Sequence, residues 1–409
     1  MSLPFSSSTA AELGWRSRAE SVIPGGASTG SKRADALFGI DTEIGTTHFV
    51  SASGCRVVTA GGAELVDCTM ALGAVALGYA DEAVTHAVIE AATQGNVAGL
   101  SNVLEVEVAE RLCEVIPCAE QVRFLKSGAE GVAAAVRIAR THTGRNLVLG
   151  CGYFGWLDWY SDGPGIPAGA HADFRTIPFD DVGALHEAAH LAGDSLAAVV
   201  IEPVIERLPS VEWVAAARRL CDETGAVLIF DEMKTGFRVS TGGYQEYAGV
   251  TPDVAVFGKA LANGYPLSAV VGSRAVMNAA RTAWISSTLA GESVALAAAR
   301  AVLQCHARGG VCETLWETGE AMRAAVERAI AESGVRGVSV RGIPPMWLID
   351  FDDDAKRQRF LEIAVSRGVL FKRGAYNYAS TAHDDDARSQ IESVASEALA
   401  IIREEDRAA

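Results

Sequence analysis

The sequence lacks the features that mark secreted, membrane and metal-binding proteins. Its N-terminus has no basic stretch followed by an apolar core, and no run approaches the roughly 20 apolar residues of a membrane helix. The eight cysteines include no CxxC pair, so their spacing indicates no common zinc site. We therefore expect a cytoplasmic protein with reduced thiols, no metal centre and no membrane partner.

Basic residues are also in short supply. The chain has 35 Lys and Arg against 51 Asp and Glu, a formal net charge of -16. Nucleic-acid binders usually carry a basic face, so this balance argues against that class. With 409 residues and a hydrophobic fraction of 49%, the chain is long enough to bury a sizeable core and to form more than one structural region.

Short apolar runs alternate with helix-like segments through the middle of the chain. These runs are nearly continuous, as expected for strands covered on both faces. They are Val122–Leu125, Leu147–Leu149, Ala197–Ile201, Ala226–Phe230, Val254–Phe257 and Ala269–Val271. The alternation predicts an α/β fold with a mostly parallel sheet. We predict a large domain over residues 61–300, and a small domain formed by residues 1–60 and 301–409.

Polar residues follow most of these runs, and ligands of such sheets bind beyond the carboxyl ends of the strands. Ser127-Gly128-Ala129 follows the first run and begins a helical segment. Backbone N–H groups and the helix dipole favour an anion there, typically a phosphate. The alternative is an ordinary turn in which Ser127 caps the helix.

Asp231 and Lys259 end two further runs. A buried carboxylate needs a cation nearby, which for Asp231 is either a protonated pyridine nitrogen or a structural partner such as Arg238. A lysine that ends a buried strand, as Lys259 does, can form an imine with an aldehyde cofactor and then transfer a proton. Together with Ser127 they supply a phosphate site, a pyridinium partner and an imine lysine, which predicts pyridoxal-5′-phosphate (PLP).

Several stretches resemble the class III aminotransferases, PLP enzymes of fold type I, and in particular the branch around glutamate-1-semialdehyde 2,1-aminomutase. They are FLKSGAEGVAAAVRIAR, GYFGWLDWY, AAVVIEPV, the long stretch from LIFDEMKTGFR to GYPLSAVVG, and PGGASTGSKR. The resemblance covers most of the chain. It implies a large domain with a sheet of the seven-stranded type and a small α+β domain from both termini.

The resemblance also implies a role for individual residues and a homodimer with shared active sites. The cofactor contacts would be Ser127, Gly128 and Ala129 at the phosphate, Tyr153 stacked on the ring, Asp231 at the ring nitrogen, Met233 beneath the ring, Lys259 as the imine lysine, and Thr288 at the phosphate of the partner subunit. Several positions depart from the family. Phe154 replaces a usual His, and Lys234 replaces a common Gln or Met near the phenolic oxygen. Gly291-Glu292-Ser293 replaces the usual Gly-Asn-Pro, and residues 372–377 do not match the aminomutase segment closely.

The predicted function is transfer of an amino group between a small-molecule amine donor and a carbonyl acceptor through a Lys259 imine. An intramolecular transfer of the aminomutase type would use the same residues. A PLP-dependent racemase or decarboxylase and a non-catalytic PLP-fold protein are further alternatives. Arg33 is a candidate for binding a substrate carboxylate, the alternative being an exposed basic residue. Glu202 follows a strand and is expected to face the same site.

His186 and His190 form an HExxH pattern on a predicted helix. Two histidines at this spacing could bind zinc for a hydrolase. A third ligand is not evident in the sequence, and such short patterns arise by chance in alanine-rich helices. We therefore interpret this segment as a surface helix.

Overall fold

The computed structural model describes residues 8–408, and the helices and strands given below lie within that range. The helices are α1 (Ala10–Val22), α2 (Ala34–Phe38), α3 (Met70–Gly73), α4 (Glu82–Gln94), α5 (Val103–Val115), α6 (Gly128–Thr143), α7 (Val182–Ala192), α8 (Val211–Thr224), α9 (Tyr244–Ala248), α10 (Arg274–Met277), α11 (Ser293–Ala307), α12 (Val311–Ser333), α13 (Asp354–Ser366) and α14 (Asp385–Ala408). The strands are β1 (Phe49–Ser53), β2 (Arg56–Thr59), β3 (Glu64–Asp67), β4 (Gln121–Leu125), β5 (Leu147–Cys151), β6 (Phe174–Thr176), β7 (Leu196–Ile201), β8 (Val227–Asp231), β9 (Val254–Phe257), β10 (Ser268–Gly272), β11 (Val338–Ile343), β12 (Met346–Phe351), β13 (Val369–Leu370) and β14 (Asn377–Tyr378).

The chain divides into two compact units, the larger of which spans Glu82–Cys312. Its centre is a seven-stranded sheet in the order β4-β10-β9-β8-β7-β5-β6. β10 is antiparallel to both of its neighbours, while the other strands run in one direction. The mostly parallel seven-stranded sheet predicted from the sequence is therefore confirmed.

Burial explains why the central strands are almost entirely apolar. All residues of β7, β8, β9 and β10 are buried. Helix α6 packs on this sheet with a core that includes Val132, Ala135 and Ile138. Because side chains of a strand alternate between faces, burial of every residue requires cover on both sides. The strands thus form a rigid base, and the loops at their carboxyl ends are held in fixed positions.

The second unit combines both ends of the chain, Met1–Asp81 with Glu313–Ala409. It contains a four-stranded sheet in the order β1-β2-β3-β13 and a three-stranded sheet in the order β11-β12-β14. The N-terminal β3 and the C-terminal β13 pair in parallel, so that Val66 lies opposite Val369. This is the predicted small α+β domain built from both termini. The division at residues 60 and 300 stays a prediction.

No helix among residues 8–408 is long and apolar enough to cross a membrane.

Candidate active site

The carboxyl ends of β4, β5, β7, β8 and β9 lie at one edge of the large sheet, because these five strands run in the same direction. Neighbouring strands are about 4.8 Å apart. Register places Ile201 of β7 opposite Phe230 of β8, and Asp231 of β8 opposite Val256 of β9. The residues that follow these strands therefore lie within a few strand spacings of one another.

Ser127 caps helix α6 at this edge. Its Oγ accepts a hydrogen bond from the N–H of Glu130 (3.3 Å), and the Glu130 carboxylate accepts one from the N–H of Ser127 (2.8 Å). The Oγ of Ser268 also donates to the carbonyl oxygen of Ser127 at 2.8 Å. In this structure the Ser127 hydroxyl group therefore caps the helix, which is the alternative given for it above. Gly128 and Ala129 form the first turn of a well-anchored 16-residue helix, whose N-terminus favours an anion.

Met233 lies between two strand ends. A Cβ atom on Gly128 would be 2.8 Å from the Met233 Cε, and one on Gly258 would be 2.5 Å from it. Both glycines thus leave room for the thioether, which fills irregular spaces well. Met233 connects the end of β8 with the helix cap on one side and the lysine turn on the other.

Asp231 is the last residue of β8 and is 4% exposed. Its carboxylate accepts a hydrogen bond from the N–H of Met233 (3.0 Å). Burial, together with the neighbouring Glu202 carboxylate, raises the pKa of Asp231 to about 7. A carboxylate with such a raised pKa gains stability from any cation that approaches it.

Lys259 begins the turn after β9 and has a positive φ of 48°. A left-handed conformation is costly for a residue with a Cβ atom and is often found at functional sites. Burial and the charge of Lys234 lower the pKa of Lys259 to about 8, against the opposing effects of Asp231 and Glu202. The neutral, nucleophilic form of the amine is therefore far more populated near neutral pH than in an ordinary lysine, at about a tenth of the molecules at pH 7.

Tyr153 stands at the end of β5, with its side chain 64% exposed. Its N–H donates to the Glu202 carboxylate at 3.1 Å. The adjoining Phe154 is buried and contacts Trp159, Tyr160 and Phe174 in an aromatic cluster. The cluster explains why an apolar ring occupies this position, and it fixes the loop that carries Tyr153.

Tyr160 holds the loop after β5 through its hydroxyl group, a contribution that was not predicted from the sequence. Its hydroxyl accepts a hydrogen bond from the N–H of Phe154 (3.2 Å) and donates one to the carbonyl oxygen of Gly155. The aromatic residues of the stretch GYFGWLDWY indicate that it packs against the core. The hydrogen bonds of Tyr160 depend on the conformation of a loop, which the sequence pattern does not predict.

Glu202 follows β7, is 3% exposed and forms an ion pair with Lys234. In the sequence, Glu202 is a strand-end carboxylate and Lys234 is a departure from the family, and nothing in the sequence links the two. Their contact spans 32 positions, so only the fold brings them together.

Thr288 is exposed in the loop before α11. The loop is tied to β4 by an ion pair between Lys126 and Glu292 (2.7 Å). The Glu292 carboxylate also caps α11 by accepting hydrogen bonds from the N–H groups of Val294 and Ala295. Lys126 is one of the polar residues that follow an apolar run, but the sequence alone assigned no role to it.

Arg33 and the two histidines of the HExxH pattern are the remaining predicted site residues. Arg33 belongs to the smaller unit, where it is exposed and its side chain lies over Gly25. His186 and His190 are both exposed on α7. In the described part of the chain, no group of three His, Cys, Asp or Glu residues is placed to hold a metal ion.

Three features at one sheet edge fit PLP. The N-terminus of α6 suits a phosphate, the buried Asp231 needs a cationic partner such as a protonated ring nitrogen, and the Lys259 amine is suited to react with an aldehyde. Tyr153 adds an exposed aromatic ring beside them. None of these three features is a feature that a metal hydrolase would need.

Comparison with known proteins gives consistent matches. The family model "Aminotransferase class-III" matches residues 42–152 and 172–381. The 2'-deamino-2'-hydroxyneamine transaminase of Streptomyces kanamyceticus is 36% identical over 324 residues, covering 78% of this chain and 82% of that protein. Glutamate-1-semialdehyde 2,1-aminomutase of Polynucleobacter necessarius is 30% identical over 416 residues, covering 91% and 95%. The structure of the Sphingopyxis sp. MTA144 FumI protein in its PLP internal aldimine form has a TM-score of 0.91 at 28% identity, covering 98% of each chain.

Proposed function

Because the chain belongs to the class III aminotransferase family and is a PLP-dependent enzyme, we propose that Lys259 is the residue that binds its cofactor covalently. The observation that carries this proposal is the position of Lys259 beside the buried Asp231, at adjacent ends of β9 and β8. The pKa of Lys259, lowered to about 8 chiefly by burial, favours a neutral and reactive amine.

PLP supplies an aldehyde that takes up an amino group and a ring that withdraws electrons from the reacting carbon. The N-terminal turn of α6, with Ser127, Gly128 and Ala129, would hold the phosphate. Tyr153 would cover one face of the ring and Met233 the other. Asp231 would accept a hydrogen bond from the ring N–H and keep that nitrogen protonated. The Nζ of Lys259 would remove a proton from the substrate carbon that bears the amino group and deliver it to the cofactor carbon that carried the aldehyde.

We propose intermolecular transfer between an amine donor and a carbonyl acceptor, with Glu202 and Arg33 as candidate substrate contacts. The 36% identity to the 2'-deamino-2'-hydroxyneamine transaminase supports a specialised substrate. Intramolecular transfer is the second candidate, and the match to an aminomutase over most of both chains favours it.

A panel of donors separates these candidates. Incubation of the holoenzyme with a single true donor should convert the visible absorption of the PLP form into that of the pyridoxamine form. The carbonyl product should accumulate to one equivalent per site in the absence of an acceptor. If only glutamate-1-semialdehyde gave this change and no free carbonyl product were released, the aminomutase candidate would replace the first.

We further propose a homodimer in the cytoplasm. Three large apolar side chains of the larger unit are exposed and line a cleft that Thr288 also lines: Val97, Leu100 and Val106. Leu100 is 86% exposed. Monomeric proteins seldom expose such a group together, and a second copy of this chain would cover it. All eight cysteines are free thiols, which supports a reducing compartment.

Sedimentation of the wild-type holoenzyme should show a dimer, and Leu100→Asp should shift it towards monomers and reduce activity, because a buried charge without a partner opposes association. Leu191→Asp is the matched control, since Leu191 is 79% exposed on α7; it should leave the dimer intact. A wild-type enzyme that is fully active as a monomer would contradict both the dimer and the role proposed for Thr288.

A further inference from the structure

The Glu202 carboxylate holds Lys234 in a defined position beside the candidate site. One carboxylate oxygen of Glu202 accepts a hydrogen bond from the Lys234 Nζ, and the other accepts one from the N–H of Tyr153. A Cβ atom on Gly152 would lie 2.5 Å from the Cβ of Glu202, so the β5 loop passes directly over it. The carboxylate is therefore restrained from several directions, and it in turn restrains the ammonium group.

This ion pair lies next to a second pair of opposite charges. β7, β8 and β9 are neighbours, and the chain places Glu202, Asp231 and Lys259 at their carboxyl ends. The charge of Lys234 is the largest influence after burial that lowers the pKa of Lys259. The charge of Glu202 likewise follows burial among the causes that raise the pKa of Asp231. The four groups therefore interact as one cluster.

Other titratable groups border this cluster. Arg238, which is fully buried, also lowers the pKa of Lys259. Cys151 and Tyr160 lie within range of Glu202, and burial raises the pKa of both, so both are neutral near pH 7. Tyr153 is the remaining titratable neighbour of Tyr160. The charged or partly charged groups that face Lys259 near pH 7 are thus Lys234, Arg238, Glu202 and Asp231, and Asp231 is only partly ionised because its pKa is about 7.

Stability alone gives little reason for an ion pair at this largely buried position, where the Glu202 side chain is 4% exposed and that of Lys234 is 18% exposed. Two charges lose much of their hydration on burial, and replacing such a pair with apolar residues is often neutral or stabilising. A charge beside a reactive amine, in contrast, changes its proton affinity strongly where water is excluded.

We propose that Lys234, held by Glu202, is a positioning residue that controls the protonation of the Lys259 amine. The ammonium group of Lys234 repels a second positive charge and so favours the neutral form of Lys259. The neutral form is the one that attacks an aldehyde and that accepts a proton from substrate. Glu202 fixes the position of Lys234. Its negative charge also weakens the repulsion between the Lys234 ammonium group and a protonated Lys259. This proposal rests on the proposed role of Lys259.

The apoprotein provides the first test. Competitive labelling with isotopic acetic anhydride, followed by peptide mass spectrometry, gives the pH midpoint of Lys259 without any cofactor. Lys234→Met should raise this midpoint by about one pH unit, as removal of a nearby charge does. Glu202→Gln should lower it, because the repulsion by Lys234 is then unopposed. The double variant should lie between wild type and Lys234→Met, since Lys234 has the larger effect.

Matched controls separate this effect from a general change in charge. Arg219→Gln removes an exposed positive charge from α8, and Asp222→Asn removes an exposed negative charge from the same helix; neither should move the midpoint. Lys234→Arg keeps the charge and should retain a midpoint close to wild type. Equal midpoints in all variants, or shifts of Lys234→Met and Glu202→Gln in the same direction, would overturn the proposal.

A pH titration of the visible absorption band of the holoenzyme gives a second readout. The midpoints of Glu202→Gln, wild type, the double variant and Lys234→Met should rise in that order, as in the apoprotein. Failure of the proposal can be distinguished from failure of the proposed function. If Lys259 does not bind the cofactor, the visible band of the holoenzyme will not change when Lys259 is replaced. The apoprotein midpoints will still show whether Lys234 changes the proton affinity of Lys259. If Lys259 binds the cofactor and the midpoints do not move, only the role of Lys234 is lost.

Discussion

Lys259→Ala is expected to reduce turnover by about 10³- to 10⁴-fold, because it removes both the covalent attachment of the cofactor and the group that transfers the proton. The structure places this lysine at the end of β9 in a strained turn, with its pKa lowered to about 8 chiefly by burial. Single-turnover kinetics with a donor identified from the panel would measure the loss.

The control for this variant is Lys356→Ala. Lys356 forms an ion pair with Asp406 in the smaller unit, and its replacement should leave turnover within about twofold of wild type, as for most surface substitutions. Melting temperatures of both variants would show whether either is misfolded. A folded Lys259→Ala variant with more than a tenth of wild-type turnover would contradict the proposed role.

Asp231→Asn is expected to reduce turnover by about 10²- to 10³-fold, comparable to the loss of one electrostatic partner in other active sites. The amide cannot keep the ring nitrogen protonated, so electron withdrawal by the ring is weakened. Asp231→Glu, which keeps the charge but moves it, should recover part of the activity. Wild-type turnover in Asp231→Asn would remove this residue from the mechanism.

The stability of the same variant gives an independent result. The pKa of Asp231 is raised to about 7 in the folded state, mainly by burial, from a usual value of 3.8. The folded state thus binds this proton more tightly than the unfolded state, and folding loses stability as the pH rises from about 4 to 7. Asparagine avoids that loss. Calorimetry of the apoproteins at pH 7.5 should therefore find Asp231→Asn melting no lower than wild type.

The fold could be predicted from the sequence because the strands are buried on both faces. Runs such as Ala197–Ile201 and Val254–Phe257 are continuous and apolar, and the intervening segments have helical spacing. Other features could not be predicted. β6 contains three residues, two of them exposed, so it leaves no apolar run. The antiparallel direction of β10 depends on its pairing with β4 and β9, which local composition does not specify.

The candidate site could be predicted only in part. Asp231 and Lys259 are polar residues at the ends of apolar runs, which is a local signal. The ion pair of Glu202 with Lys234 and that of Lys126 with Glu292 join residues 32 and 166 positions apart. Their chemistry depends on contacts between neighbouring strand ends and loops. The residue roles themselves, including those of Tyr153, Met233 and Thr288, stay predictions until they are tested in solution.

Reduction of the holoenzyme with borohydride, followed by peptide mapping, tests the central claim most directly. The visible band should disappear, and one reduced pyridoxyl group per chain should be found on Lys259. The Lys259→Ala variant should give no such peptide. A pyridoxyl group on Lys234, or on any lysine other than Lys259, would contradict the proposed function.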